Sequence, residues 1–355
     1  MILTAFSYRD SDGWALDNLS PLTDVNLLVG RNATGKTRTI EAIQNVTSFM
    51  QMKTFLRGNQ SFYVEMEYDM NDASHTKMKY AFKVENGKIE REQLTVGGRL
   101  LIDRQGDLTR YEENVINPPV DKLVVQIRRD KEEFPEIEQL MSWADGITCV
   151  SCSNINPYTI LGAQVNFINP YSFSELVEAL NAESKKHVLE NACALGYDIA
   201  DIKVFKATAD LNFVQVKEHD VKKRLIDISL SSGMLRTLYI LCFLERIRFT
   251  EHSTLLLIDD LGEGLDYHRA TQLGKMVFDY CSNSNVQLVA SSNDAFLMDV
   301  VDIAKWQILQ RNGSSVTTLN QSRNYDMFRS FRMTGLSNFD LFSSDFVEQY
   351  LKIRK

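Results

Sequence analysis

The run Gly30-Arg31-Asn32-Ala33-Thr34-Gly35-Lys36-Thr37 places glycine, then glycine-lysine-threonine, at the spacing that cradles a phosphate chain. Glycines let the backbone curl until successive N–H groups converge on one anion, and a helix beginning there adds its own unpaired N–H groups. Lys36 supplies a charge for the β- and γ-phosphates, and Thr37 supplies a hydroxyl for Mg²⁺. Gly30, Arg31, Asn32, Ala33, Thr34, Gly35, Lys36, Thr37 and Arg38 are therefore the expected nucleotide-binding residues. Lys36 is also expected to serve the chemistry, and Thr37 the metal. The plainer reading of the same residues is a glycine turn.

A second acidic signal lies far along the chain. Leu255-Leu-Leu-Ile-Asp259-Asp260 is an apolar run that ends in two acids. A carboxylate at the C-terminal end of a buried parallel strand beside a phosphate loop can hold Mg²⁺ through water, and Asp259 is the candidate. The alternative is a strand end turning out to solvent. Just upstream, Ser229-Leu230-Ser231-Ser232-Gly233-Met234 opens an apolar helix, and alone it reads as an N-cap. Just downstream come Gly264-Leu265-Asp266 and the apolar strand Val286 to Ser292, which ends at Asn293. Cys149 and Cys152 form a CxxC, but His187 and Cys193 supply no second ligand pair at regular spacing. Alternation from Gly146 to Ser153 reads as a half-buried strand, making these structural cysteines, with a metal or redox role as the alternative.

Several elements must position these residues. Ile2–Tyr8 pairs with Gly13–Leu16 as a hairpin, and Val25–Val29 reads as a buried strand ending at Gly30. After Lys36 the period turns helical, with Ile40, Ile43, Val46 and Met50 on one face and Gly58 as the expected stop. From Ser61 to Tyr111 the period is two, as in an antiparallel meander. Phe62, Val64, Met66 and Tyr68 share one face, and Lys77, Lys79 and Lys83 oppose acids on the neighbouring strand. Helices follow around Phe134–Trp143 and from Ser172 to about Gly196, the second opened by a capping box at Ser172 and Glu175. A hairpin region covers Ile199–Ile228, and strands alternate with helices from Leu230 to Asn320.

Composition limits the partners. The 355 residues are 44% hydrophobic and 24% charged, ordinary for a globular chain. A net charge of −8 excludes a globally basic nucleic-acid coat, though not a local patch. The candidates for such patches are Arg128-Arg129, Lys185-Lys186 and Lys222-Lys223-Arg224, each read first as solvated surface. The longest apolar candidate, Leu238 to Leu244, falls short of the ~18 to 20 residues of a membrane span. The N-terminus lacks the pattern of a signal peptide. A cytoplasmic protein with no membrane partner is expected.

The order of the phosphate loop, Ser231-Ser232-Gly233, Asp259-Asp260 and Gly264-Leu265-Asp266 resembles the ABC-type ATPases: Walker A, signature, Walker B and D-loop. By layout it is similar to the soluble branch containing SMC-like, RecF-like and OLD-like proteins. The resemblance runs over about 1–57 and 199–320. It implies an α/β P-loop NTPase head with a mixed central sheet, an antiparallel β-meander subdomain and a helical insertion. No heptad run is long enough for a coiled-coil arm. The implied organisation is a split head at 1–60 and 199–320, an inserted region at 61–198 and a helical tail at 321–355. It also implies ATP and Mg²⁺ as cofactors. Ser231 and Gly233 of one copy would meet the γ-phosphate held by a second copy, so that two heads sandwich two ATP molecules.

Two departures qualify the chemistry that the resemblance implies. The family's glutamate after the Walker B aspartate is here Asp260, shorter by one methylene, and its histidine after the next strand is here Asn293. Asp260, Asn293 and Lys36 are then the expected catalytic residues of a slow ATPase that works as a dimerisation switch, with Glu263 as a stand-in base. Gln105 and Gln126 are candidates for the Q-loop residue, and Tyr8, Arg9 and Trp14 for adenine stacking, with core packing the plainer reading of the aromatics. The resemblance implies a self-dimer, a nucleic-acid-linked or anti-phage defence role, DNA or RNA as a partner, and a separate nuclease or toxin effector. A transporter's nucleotide-binding subunit and a nearly non-hydrolysing regulator are the alternatives. The tail from Thr334 to Phe342 either packs on the head or anchors the effector.

Overall fold

The computed structural model describes residues 1–156, 168–208, 211–249 and 253–353. Its first elements are β1 (Ile2–Asp10) and β2 (Ala15–Leu19), an antiparallel hairpin, then β3 (Val25–Val29) and α1 (Lys36–Met50). β3 is buried along its whole length, with Leu27 and Leu28 feeding the cores on opposite sheet faces. The expected apolar face of α1 is buried as well. The helix stops at Met50 rather than at Gly58, because Met52 takes the left-handed conformation (φ 60°) that a glycine was expected to supply.

The meander comprises β4 (Phe62–Asp69), β5 (Lys77–Glu85), β6 (Lys88–Val96), β7 (Arg99–Gln105), β8 (Leu108–Tyr111) and β9 (Asn114–Ile116). Its period-two pattern separates the faces as expected: Val64, Met66, Tyr80 and Phe82 are buried. On the outer face Lys79 reaches Glu65 at 2.6 Å and Glu67 at 3.0 Å, a solvated ion-pair ladder. Two helices follow, α2 (Val124–Ile127) and α3 (Pro135–Asp145), then β10 (Ile147–Ser151).

The long helix expected from Ser172 is two helices, α4 (Phe173–Glu178) and α5 (Ala182–Ala194). The capping box at Ser172 forms as read, but the Asn181 carboxamide accepts the Ser184 N–H at 2.8 Å and starts a new helix. A small second sheet holds β11 (Ile199–Lys206), β12 (Asn212–Glu218) and β13 (Leu225–Ile226). The remainder is α6 (Ser232–Arg248), β14 (Leu255–Asp259), α7 (Tyr267–Ser282), β15 (Gln287–Ser291), α8 (Ala295–Val300), β16 (Trp306–Asn312) and β17 (Ser315–Leu319). Three tail helices close the chain: α9 (Tyr325–Arg332), α10 (Asn338–Ser343) and α11 (Phe346–Ile353). Residues 354 and 355 of the expected tail lie outside the described residues.

Among the described residues one mixed sheet has fourteen strands in the order β10-β14-β15-β3-β16-β17-β2-β1-β4-β5-β6-β7-β8-β9. Strands β10, β14, β15, β3 and β16 are parallel, and β4 continues the sheet edge-on from β1 without a break. Helices α1 and α3 pack on one face, and α6, α7 and the tail on the other. The longest helix among the described residues, α6, has 17 residues, far short of an arm. This is the mixed-sheet head with a meander wing, without a long coiled coil among the described residues.

Candidate functional site

The phosphate loop joins the C-terminal end of β3 to the N-terminus of α1. Ala33 (φ 64°) and Gly35 (φ 104°) are left-handed, which turns the chain back on itself. Gly30 is required for another reason: a Cβ there would stand 2.5 Å from Thr34 Oγ1 and 3.1 Å from the Leu309 carbonyl. The Thr34 hydroxyl donates to the Arg31 carbonyl at 2.8 Å, and an Arg311 Nη donates to the Ala33 carbonyl at 3.1 Å, so the loop is braced from within and from β16. No side chain caps α1, leaving first-turn N–H groups available to an anion.

Lys36 is 6% exposed, and its ammonium donates to the Gly30 carbonyl at 2.6 Å and the Arg31 carbonyl at 3.2 Å. Burial lowers its pKa, opposed by the nearby Asp260 and Asp259 carboxylates. Arg38 is held by Asp12 at 2.5 Å and Asp10 at 3.5 Å, and lies 4.6 Å above the Trp14 ring. Trp14 is 2% exposed, and Tyr8 stacks on Phe62 with ring centroids 5.8 Å apart. Both aromatics are used in packing, the plainer of the two readings. Arg9 faces Asp17 at 3.7 Å.

A cavity of about 220 Å³ opens beside Thr37, lined also by Glu41, Asp259, Asp260, Ser151, Ser153 and Asn154. Asp259, 4% exposed, ends β14, and its carboxylate accepts the Ser291 hydroxyl at 2.5 Å. The same hydroxyl oxygen accepts the Asp260 N–H at 3.0 Å. Asp260 is left-handed (φ 56°), a conformation aspartate tolerates better than most residues. Burial, then the Asp259 and Glu263 carboxylates, raise its pKa, while Lys36 and a hydrogen bond from Ser153 work against them. Glu41, one helical turn beyond Thr37, is likewise raised by burial and by Asp259.

Neither glutamine named as a Q-loop candidate reaches this cavity. Gln126 is buried at the start of α2, accepting the Leu123 N–H at 2.9 Å and donating to the Phe49 carbonyl at 2.6 Å. Gln105 bonds Asp103 on the meander surface. Ser151, which does line the cavity, ends β10, and Ser153 and Asn154 follow that strand, which pairs in parallel with β14. Alternation marked the strand, but nothing local marks its neighbour more than a hundred positions away.

Ser231 is exposed and caps α6, accepting the Met234 N–H at 3.3 Å. A Cβ on Gly233 would meet Leu265 at 3.2 Å, and Arg236 donates to the Glu263 carbonyl at 2.9 Å, so this helix start packs on the 263–266 loop. Neither Ser231 nor Gly233 lines the cavity beside Thr37. Asn293 is exposed just beyond β15, the strand between β14 and β3. Each basic cluster has an ion-paired member: Arg129 with Glu138 at 2.6 Å, Lys185 and Arg224 with Asp201 at 2.5 and 2.7 Å. Cys149 and Cys152 are free and buried, and burial pushes both thiols up. No helix among the described residues is long and apolar enough to cross a membrane.

Fold and loop together define a P-loop head of the ABC-type ATPase fold. Among solved structures the chain is similar to the SmcHead bound to the C-winged helix domain of ScpA, at 11% identity and TM-score 0.54 over 92% of this chain and 100% of that one. It is also similar to the SMC head domain from Thermotoga maritima, at 12% identity and TM-score 0.50 over 90% and 99%. A third is the Smc head with an extended coiled coil bound to the C-terminal domain of ScpA, derived from Pyrococcus furiosus, at 11% and 0.51 over 93% and 99%. No family model matches the chain, and no curated protein does.

Proposed function

We propose that this chain is an ATP-binding, slowly hydrolysing ABC-type ATPase that acts as a nucleotide-dependent dimerisation switch. The supporting observation is the cavity at which Thr37 of the phosphate loop meets Asp259 and Asp260 across the sheet. Its oxygen donors fit a small hard cation. Thr37 and Asp259 would hold Mg²⁺, which supplies charge compensation for the β- and γ-phosphates. Lys36 exchanges its bonds to the Gly30 and Arg31 carbonyls for phosphate oxygens. Asp260 orients the attacking water and takes its proton, and Asn293 donates a hydrogen bond to the γ-phosphate. Ser231 and Gly233 act on the nucleotide of a second copy, their helix N-terminus facing its γ-phosphate.

The role we infer for the switch is in a nucleic-acid-linked or defence complex with a separate effector, either a nuclease or a toxin. The motif layout suggests it, and the likeness to SMC heads, one of which is bound to a winged-helix domain of another protein, supports a separate protein partner. Ion pairs at Arg129, Lys185 and Arg224 reduce the charge these clusters could offer to DNA or RNA. A nearly non-hydrolysing regulator differs from this reading only in rate, and the left-handed, short Asp260 favours the slow end.

Light scattering tests the switch. Saturating ATP with Mg²⁺ is expected to double the particle mass of the native chain, and Lys36→Ala and Ser231→Arg are expected to stay monomeric. A native chain that binds ATP and stays monomeric removes the switch.

A further inference from the structure

We propose that α11 is a latch on the phosphate loop, held by Arg31 and released by ATP. This rests on the nucleotide-binding reading above. Arg31 is the second residue of the loop, and its guanidinium lies 3.3 Å from Asp345 and 3.0 Å from Glu348, more than three hundred positions away. Between loop and tail is a cavity of about 1120 Å³, with Gly30 to Thr34 on one side and Leu341, Phe342, Val347 and Glu348 on the other. The tail therefore reaches the loop through charge, across open space.

The tail's anchorage is graded along its length. Leu341 of α10 is fully buried, and the Phe339 N–H donates to Asp299 at 2.8 Å. α11 follows an extended residue, Ser344, and holds on through buried Val347, half-buried Tyr350 and Leu351, and an edge contact of Phe346 with Phe331 at 5.3 Å. α10 is the more deeply buried part, and α11 is the part whose ion pairs a bound nucleotide would challenge.

Two carboxylates stand at a loop whose donors favour anions. The phosphates of a bound nucleotide compete with Asp345 and Glu348 for Arg31 and repel them. Nucleotide and latch thus oppose each other, and the coupling is reciprocal: weakening the latch tightens nucleotide binding by the factor by which nucleotide loosens the latch. Both ion pairs are exposed, so the coupling is modest and salt-sensitive.

Hydrogen exchange on the full chain, with and without Mg-ATP, reads the latch, and titration of Asp345→Asn/Glu348→Gln with ATP reads its reciprocal. ATP is expected to raise exchange over Phe346–Ile353 while leaving Tyr325–Arg332 unchanged. The double variant is expected to bind ATP about two- to tenfold more tightly, an advantage that fades in high salt. Lys36→Ala should show no response of α11 to ATP. The latch is wrong if ATP protects Gly30–Thr37 while α11 exchange is unchanged and the double variant binds no more tightly. If ATP protects Gly30–Thr37 in neither protein, the nucleotide-binding reading fails and takes the latch with it.

Discussion

The Ser291 hydroxyl donates to the Asp259 carboxylate at 2.5 Å, tying the last residue of β15 to the last residue of β14. The same oxygen accepts the Asp260 N–H, and the next residue, Ser292, donates to the Leu261 carbonyl at 2.7 Å. Two serines thus clasp the acid pair where the chain must turn sharply. Sheet pairing places the acids, and the clasp sets their direction.

Ser291→Ala removes a charge-assisted bond inside the protein and leaves a buried carboxylate oxygen with one partner fewer. Stability should fall by about 1.5–3 kcal/mol, read as a lower urea midpoint with an unchanged slope. Mg²⁺-dependent ATP affinity or turnover should fall by ~10- to 100-fold, since the positioning partner of the carboxylate proposed for the metal is lost.

Glu92 makes stability depend on pH. It is fully buried, accepting the Val124 N–H at 2.7 Å and the Tyr80 hydroxyl at 2.9 Å, and burial pushes its pKa up to about 7. Between the unfolded value near 4.5 and about 7 the folded state holds the extra proton. Its contribution is therefore complete below the unfolded value and is lost as pH rises through 7, a fall of roughly 3 kcal/mol. Urea titrations at pH 5 and 8 should record it, and Glu92→Gln should flatten the difference.

Gly30→Ala should disable the loop without touching a charge. The new Cβ would stand 2.5 Å from the Thr34 hydroxyl and 3.1 Å from a β16 carbonyl. Relief requires the loop to move, at about 1–3 kcal/mol, and ATP affinity should drop with it. Adding Thr34→Ala removes the nearer clash and should restore part of the affinity in an isothermal titration. No recovery would place the constraint at the Leu309 carbonyl and the remaining Thr34 Cβ, or in the lost Thr34 brace to Arg31.

Local pattern carried much of this architecture. The strand before Gly30, the faces of the meander and the capping box at Ser172 follow from period and residue type, and each appears where the sequence puts it. What was not legible depended on distant partners. Ser151 and Ser153 reach the Asp260 cavity only because β10 pairs with β14, and Ser291 reads as an ordinary strand serine until β15 lies beside Asp259. Gln126 stays a mere candidate in the sequence for the same reason: only the structure shows its side chain spent on the backbone of α1. The early stop of α1 was hidden because a methionine, not a glycine, takes the left-handed position.

The base role proposed for Asp260 makes a prediction about rate. Its carboxyl is raised by burial and by Asp259 and Glu263, so a larger share is protonated in mildly acidic solution than for an ordinary aspartate. Single-turnover hydrolysis should be slow and should climb with pH through a range above the usual carboxylate values, because only the ionised form accepts a proton. Asp260→Asn should remove both the remaining rate and that pH dependence while leaving ATP binding within a few-fold. Asp260→Glu extends the carboxylate by one methylene toward the water. If reach limits the rate, turnover should rise by up to ~100-fold, since misplacement of about 1 Å is worth that much. Backbone strain opposes the gain, because glutamate is less at ease than aspartate at φ 56°. A faster Asp260→Glu enzyme with a lower melting temperature fits both effects. One that is equally stable and no faster shows that the carboxylate's length is not what holds the switch closed.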